Sequence, residues 1–181
     1  MVVFLIIPAI VIIWGSLTYN LLVRQRVSIK NAWSQIDVQL KRRYDLIPNL
    51  VEVAKGYMAH ERQTLENVTK ARQQAIDASG VQEQVRAENL LTQTLRSLFA
   101  VVENYPDLKA NQNMLSLQEE LASTENRISF ARQFYNDEVA KYNARIQSVP
   151  VNLIASSFGF TKEEFFEIED SSQREAPKIK F

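Results

Sequence analysis

The sequence has no cysteine, one histidine, four glycines and five prolines in 181 residues. Without cysteine there is no disulfide, no thiolate nucleophile, no Cys-ligated zinc and no iron–sulfur cluster. His60 stands alone, which excludes a bundle di-iron site of the Glu-x-x-His kind within one chain, because that site takes two histidines. No Gly-rich phosphate loop and no nucleophilic serine elbow is present. So few glycines and prolines leave little to build a turn-rich β fold and favour long helices. An excess of charge is also missing: Lys+Arg and Asp+Glu number 21 each, so no bulk positive charge recruits nucleic acid. Carboxylate pairs such as Glu119-Glu120 and Asp137-Glu138 are expected to be solvated helix faces rather than acid–base pairs. The chain is therefore read as non-enzymatic, with no cofactor, metal or small-molecule substrate.

What is present is apolar patterning. Hydrophobic residues make up 46% and charged residues 23%, which fits a folded core. Met1 to Val23 carries no charged side chain and is rich in Val, Ile and Leu, with Trp14 and Tyr19 near its end. Roughly 20 apolar residues cross the ~30 Å hydrocarbon layer as a helix, so residues 1–23 are read as a transmembrane anchor. Pro8 is tolerated in such a helix. A cleaved signal peptide starts with a basic region and ends at a small-residue cleavage site, and neither feature is seen. Arg24, Arg26 and Lys30 follow the span, and the positive-inside bias then places the bulk of a single-pass protein in the cytoplasm.

Beyond the anchor the spacing predicts an all-α fold: an elongated antiparallel bundle of three to four helices over residues 24–150. Ile29, Trp33, Ile36, Leu40, Tyr44, Ile47, Val51, Ala54 and Met58 recur in steps of three and four, and the stripe runs on through Leu65, Val68 and Ala75. It predicts one helix over about 24–78, kinked at Pro48 and stopped near Gly80, a residue suited to a left-handed cap. A second helix is expected over about 82–104, ending before Pro106. A third, over about 107–147, carries Met114, Leu121, Ile128, Tyr135 and Tyr142 at heptad spacing, a coiled-coil-like seam that closes at Pro150. Residues 151–181 form an apolar and then acidic segment, in which Glu163, Glu164, Glu167, Glu169 and Asp170 interleave with Phe165, Phe166 and Ile168, followed by a polar tail.

Two groups of residues stand out as contact candidates. Arg24, Arg26, Lys30, Lys41, Arg42 and Arg43 make the membrane-near part of the first helix basic, and anionic lipid supplies ~1 kcal/mol per cation held at the surface. Salt bridges within the bundle or to another protomer are the alternative for Lys41-Arg42-Arg43. Phe158, Phe160, Phe165 and Phe166 are more aromatic surface than a short segment is expected to bury against a slender bundle. They are candidates for contact with a second copy.

The runs Ala32 to Arg43 (AWSQIDVQLKRR), Asp45 to Val51 (DLIPNLV) and Lys55-Gly56-Tyr57 resemble the signature of the LemA family. Glu103 to Asn111 (ENYPDLKAN), Arg132 to Asn136 (RQFYN), Tyr142-Asn143, Phe158-Gly159-Phe160 and Tyr19-Asn20 agree with it, so the resemblance covers nearly the whole chain. It implies a membrane-attached antiparallel helical bundle of bacteria with no assigned enzymatic activity. Relatives take part in forming magnetosome membranes, and family genes often neighbour a membrane metalloprotease of the HtpX type. Some relatives carry a lipoprotein cysteine where this chain has a span, which makes an extracytoplasmic body the alternative topology. The expectation is a scaffold of the bacterial inner membrane that self-assembles into a higher-order oligomer and organises or shapes that membrane. The alternative is an adaptor or regulatory partner of another membrane protein such as that protease.

Overall fold

The computed structural model describes residues 2–166; Glu167, Ile168, Glu169, Asp170 and the polar tail lie outside the described residues. The apolar run and the stripe that follows it form one continuous helix, α1 (Val2–Lys55), of 54 residues. At ~1.5 Å per residue α1 is about 80 Å long. Its N-terminal part is long and apolar enough to cross a membrane, and the side chains from Ile6 to Ile13 face outward. The rest of the chain packs on its C-terminal part as α2 (Arg62–Asp77), α3 (Val81–Val102), the short α4 (Pro106–Lys109), α5 (Gln112–Gln147) and α6 (Val151–Ser157). Among the described residues there is no strand.

Pro48 does not end α1. A proline at this position has no N–H to give to the carbonyl of Tyr44, one turn earlier, and an orphaned buried carbonyl is costly. Arg72 of α2 fills the vacancy: its Nε donates to the Tyr44 carbonyl oxygen at 2.7 Å. The partner that makes the proline tolerable thus comes from the next helix.

The helix expected over 24–78 is two helices. α1 stops at Lys55, and the chain reverses over residues 56–61 before α2 begins at Arg62. Met58, fully buried, plugs the reversal, and the Tyr57 and Met58 amides donate to the Ala54 carbonyl at 3.0 and 2.9 Å. The apolar spacing continues past the turn because Leu65, Val68, Ala71 and Ala75 fold back onto the core that α1 already faces. Gly80 takes φ +81° at the start of α3, a left-handed conformation that suits glycine. The last long helix starts at Gln112 rather than 107, because Asn111 caps it, accepting from the Asn113 and Met114 amides at 2.9 and 3.2 Å.

α1 and α5 pair antiparallel: Trp33 meets Tyr135 near the membrane end, and Arg42 faces Glu120 further out. The heptad residues Met114, Leu121, Ile128, Tyr135 and Tyr142 are all buried, facing Ile29, Ala32, Ile36, Leu40 and Ile47. Each fully buried Leu or Ile in such a seam contributes about 1.5–3 kcal/mol. At the far end the α1–α2 turn is tied to the α4–α5 corner, where Asn111 Nδ2 donates to the Tyr57 hydroxyl at 3.1 Å. Four helices make up this distal half. Nearer the membrane the main packing is the α1–α5 hairpin, which leaves part of its seam to be covered by something else.

Candidate functional site at the membrane exit and along the flank

The cover is residues 158–166. Gly159, at φ +69°, turns the chain so that Phe158 points out and Phe160 points in. The segment then runs along α5 as a strap held by two asparagines. Asn143 donates to the Glu163 carbonyl at 2.8 Å and accepts from the Glu163 amide at 2.9 Å. Asn136 does the same for Phe166, at 3.1 and 2.8 Å. Seven helical residues rise about 10 Å, and three extended residues span about the same distance, so the two carboxamides match the strap's register. The Tyr135 hydroxyl adds a fifth bond, to the Glu164 carbonyl at 2.9 Å. Burial, with Glu163 and Glu164 nearby, pushes that phenol up to about 12, so it stays a neutral donor.

The expectation that Phe158, Phe160, Phe165 and Phe166 lie open for a second copy is corrected at two positions. Phe160 packs edge-on to Tyr19, 5.5 Å between centroids, with the Arg26 guanidinium 5.6 Å from its ring. Phe166 packs against Trp33 at 5.9 Å, and the buried Arg132 guanidinium lies 4.6 Å from its ring. A strap lying in an open hairpin seam buries both rings, which a slender closed bundle would not. Phe158 stays 62% exposed and Phe165 is borderline at 36%.

The basic residues also divide. Arg24, Arg26 and Lys30 are exposed where α1 leaves the span, and Arg26 reaches Glu163 at 3.5 Å. Lys41 and Arg42 are exposed about 26 Å further along an unbroken helix, beyond the Debye length of ~8 Å at physiological salt. The lipid-facing expectation is corrected for Arg43, which is 4% exposed. Its Nη1 lies 3.0 Å from both Glu88 and Glu125, and its Nη2 donates to Thr92 at 2.9 Å. Tyr44 donates to the other oxygen of Glu88, and Gln84 donates to the Tyr44 hydroxyl at 2.9 Å. Burial, then the Glu88 charge, raises the Tyr44 phenol far above its usual range. Burial lowers the Arg132 guanidinium from its ordinary value. The cluster locks α1, α3 and α5 together through Arg43, Glu88, Thr92 and Glu125. His60 lies exposed on the α1–α2 turn. Among the described residues no group of three or more His, Asp or Glu is placed to hold a metal.

On the flank of the body an apolar surface stays uncovered. Val38, Phe130 and Phe134 are 63%, 72% and 45% exposed. With Ser34, Gln35 and Arg127 they line a shallow groove of about 500 Å³ between α1 and α5. Periodicity alone did not reveal this surface, because Val38 and Phe130 each lie two residues from buried positions, about 200° round the helix from the core-facing stripe.

With these positions in place, the match to known proteins is direct: the model of the LemA family covers residues 32–181. The chain belongs to the LemA family. It is similar to Magnetosome protein MamQ 2 of Paramagnetospirillum magneticum, 24% identical over 175 residues, covering 82% of this chain and 64% of that protein. Magnetosome protein MamQ of Magnetospirillum gryphiswaldense is 23% identical over 174 residues, with the same coverage. Protein LemA of Metamycoplasma hominis is 28% identical over 138 residues, 75% of this chain and 63% of its own. The chain thus spans about 64% of the length of the curated MamQ relatives. The LemA-family signature residues map onto fold-making positions. Ala32, Ile36 and Leu40 lie in the seam, Arg43 and Tyr44 in the polar cluster, Gly56-Tyr57 and 103–111 at the distal corner, and Asn136, Asn143 and Gly159 at the strap. This LemA-family chain is a membrane-associated helical protein.

Proposed function

We propose that the protein is a scaffold of the bacterial inner membrane: α1 anchors it, and bundles associate side by side through the Val38–Phe130–Phe134 flank to organise the bilayer beneath them. The observation that carries this reading is the flank itself, an apolar surface left open between α1 and α5. A second copy is the favoured occupant because an anchor holds every copy in the same orientation, with its flank at the same height above the membrane. Tethering also raises the effective concentration of one copy near another. Arg127 of α5 lies within the groove. Exposed cations at Arg24, Arg26 and Lys30 support a cytoplasmic body. No catalytic step is assigned.

Light scattering of the full-length protein in mild detergent tests the reading. The expected result is a multimer that falls in mass when Phe130→Asp and Phe134→Asp are combined, with helical circular dichroism unchanged because both rings are already exposed. A wild-type monomer, or a variant of unchanged mass, would contradict it. The monomer outcome would hand the flank to a different membrane protein, such as a metalloprotease, and pull-down in the same detergent would then show a defined heteromeric complex.

A further inference from the structure

No charged side chain occurs between Arg145 and Lys162. This uncharged stretch holds the end of α5, all of α6 and the turn at Gly159, and it stands beside the apolar part of α1. A Cβ built on Gly15 would sit 3.7 Å from Ile154 Cδ1, and Val11, Ile12, Gly15 and Ser16 share a groove with Ile154 and Phe158. Phe158 also packs edge-on to Tyr19 at 5.0 Å. Tyrosine at the end of a span marks the membrane–water boundary. Gly15 lies four residues before Tyr19, so Ile154 sits about 6 Å deeper along the helix axis.

Large apolar side chains stand exposed along this stretch. Val149, Leu153 and Phe158 are 80%, 63% and 62% exposed. Its hydroxyls, though exposed, are paired within the chain. Ser148, Ser156 and Ser157 donate their hydroxyls to the carbonyls of Ala144, Leu153 and Leu153 at 2.8, 3.1 and 2.8 Å. The amides of Asn152, Phe158 and Phe160 find carbonyl partners at 2.9, 3.1 and 2.9 Å. Internal pairing of backbone and hydroxyl groups is the condition for residence where water is scarce.

We propose that Val149 to Phe158 is an interfacial wedge, seated at the headgroup–acyl boundary of the bilayer that α1 crosses. Helices of this kind bury an apolar face about 5–10 Å into that boundary, a depth that matches the position of Ile154 against Gly15. The bilayer is the occupant because the wedge is continuous with the membrane-crossing surface of α1. The wedge gives the body a second point of attachment. It fixes the rotation of the bundle about its anchor and holds the strap that begins at Phe160. The inference rests on membrane anchoring and is independent of self-assembly through the flank.

The test uses the absence of cysteine. Single variants Leu153→Cys, Ser157→Cys and the distal control Ser97→Cys carry an environment-sensitive fluorophore in the full-length protein. Each is reconstituted at high lipid excess in vesicles of phosphatidylcholine and phosphatidylglycerol. All three positions are exposed, so labelling leaves the core intact. The expected result is that acyl-chain nitroxide lipids quench the labels at 153 and 157 several-fold more strongly than the label at 97, while aqueous iodide quenches only the label at 97. Equal iodide quenching at all three positions would overturn the proposal. So would labels at 153 and 157 that are shielded from both quenchers, since a protein neighbour rather than lipid would then cover the wedge.

Discussion

Replacing Glu88 with alanine is expected to lower the stability of the bundle by about 3–5 kcal/mol, the usual range when one partner of a buried ion pair is removed. Glu88 is 1% exposed and holds Arg43, Tyr44 and Gln84 at once. Without it the Arg43 charge, itself 4% exposed, keeps only the more exposed Glu125 as a counter-ion. In a chain of this size the loss corresponds to a fall in Tm on the order of 10 °C, measured on the full-length protein in detergent. Glu88→Gln is expected to fall between wild type and alanine, because it keeps the volume and a hydrogen-bonding oxygen but not the charge. Exchanging Arg43 and Glu88 together for methionine is expected to cost less than Glu88→Ala alone. A Glu88→Ala protein within about 0.5 kcal/mol of wild type, the range of ordinary surface substitutions, would show that the cluster does not hold the helices together.

Phe166→Ala is expected to release the strap while leaving the bundle folded. Phe166 is 2% exposed between Trp33 and the Arg132 guanidinium. Truncating a buried phenylalanine costs about 3–5 kcal/mol. One feature confines that cost to the strap: its hydrogen bonds to α5 run through the side chains of Asn136, Asn143 and Tyr135 rather than through the helix backbone. Local opening draws on local stability, so hydrogen exchange is the suitable readout. At 1.4 kcal/mol per tenfold, the amides at 163 and 166 are expected to exchange about a hundredfold to a few thousandfold faster, with α5 around Ile128 unchanged. Loss of protection in α5 as well would mean that the strap is part of one cooperative core.

Which parts of this architecture the sequence foretold depends on the reach of each determinant. The seam of α5 was legible because Met114, Leu121, Ile128, Tyr135 and Tyr142 repeat at a fixed interval on one face. The continuity of α1 through Pro48 was legible in the phase of the stripe, but its cause was not, since Arg72 lies 28 residues from the carbonyl it satisfies. The reversal after Lys55 was hidden because α2 faces the same core as α1 and so keeps the apolar spacing. For Arg43 the sequence left lipid contact and a salt bridge within the bundle both open, because its carboxylate partner is 45 residues away. The strap has its own signal in the sequence: Tyr-Asn occurs at 135–136 and again at 142–143, one heptad apart, which sets two carboxamides on one face of α5.

The most direct test of side-by-side assembly is crosslinking in the membrane with matched single cysteines. Ser34 lines the flank groove and Ser97 lies exposed on α3; each hydroxyl donates only to its own helix, to the carbonyls of Lys30 and Gln93. Ser34→Cys and Ser97→Cys are therefore equally mild changes. Treated with a short bismaleimide in native membranes, the Ser34→Cys protein is expected to form covalent dimers while the Ser97→Cys protein stays monomeric. Equal crosslinking at the two positions, or none at Ser34→Cys, would contradict assembly through this flank.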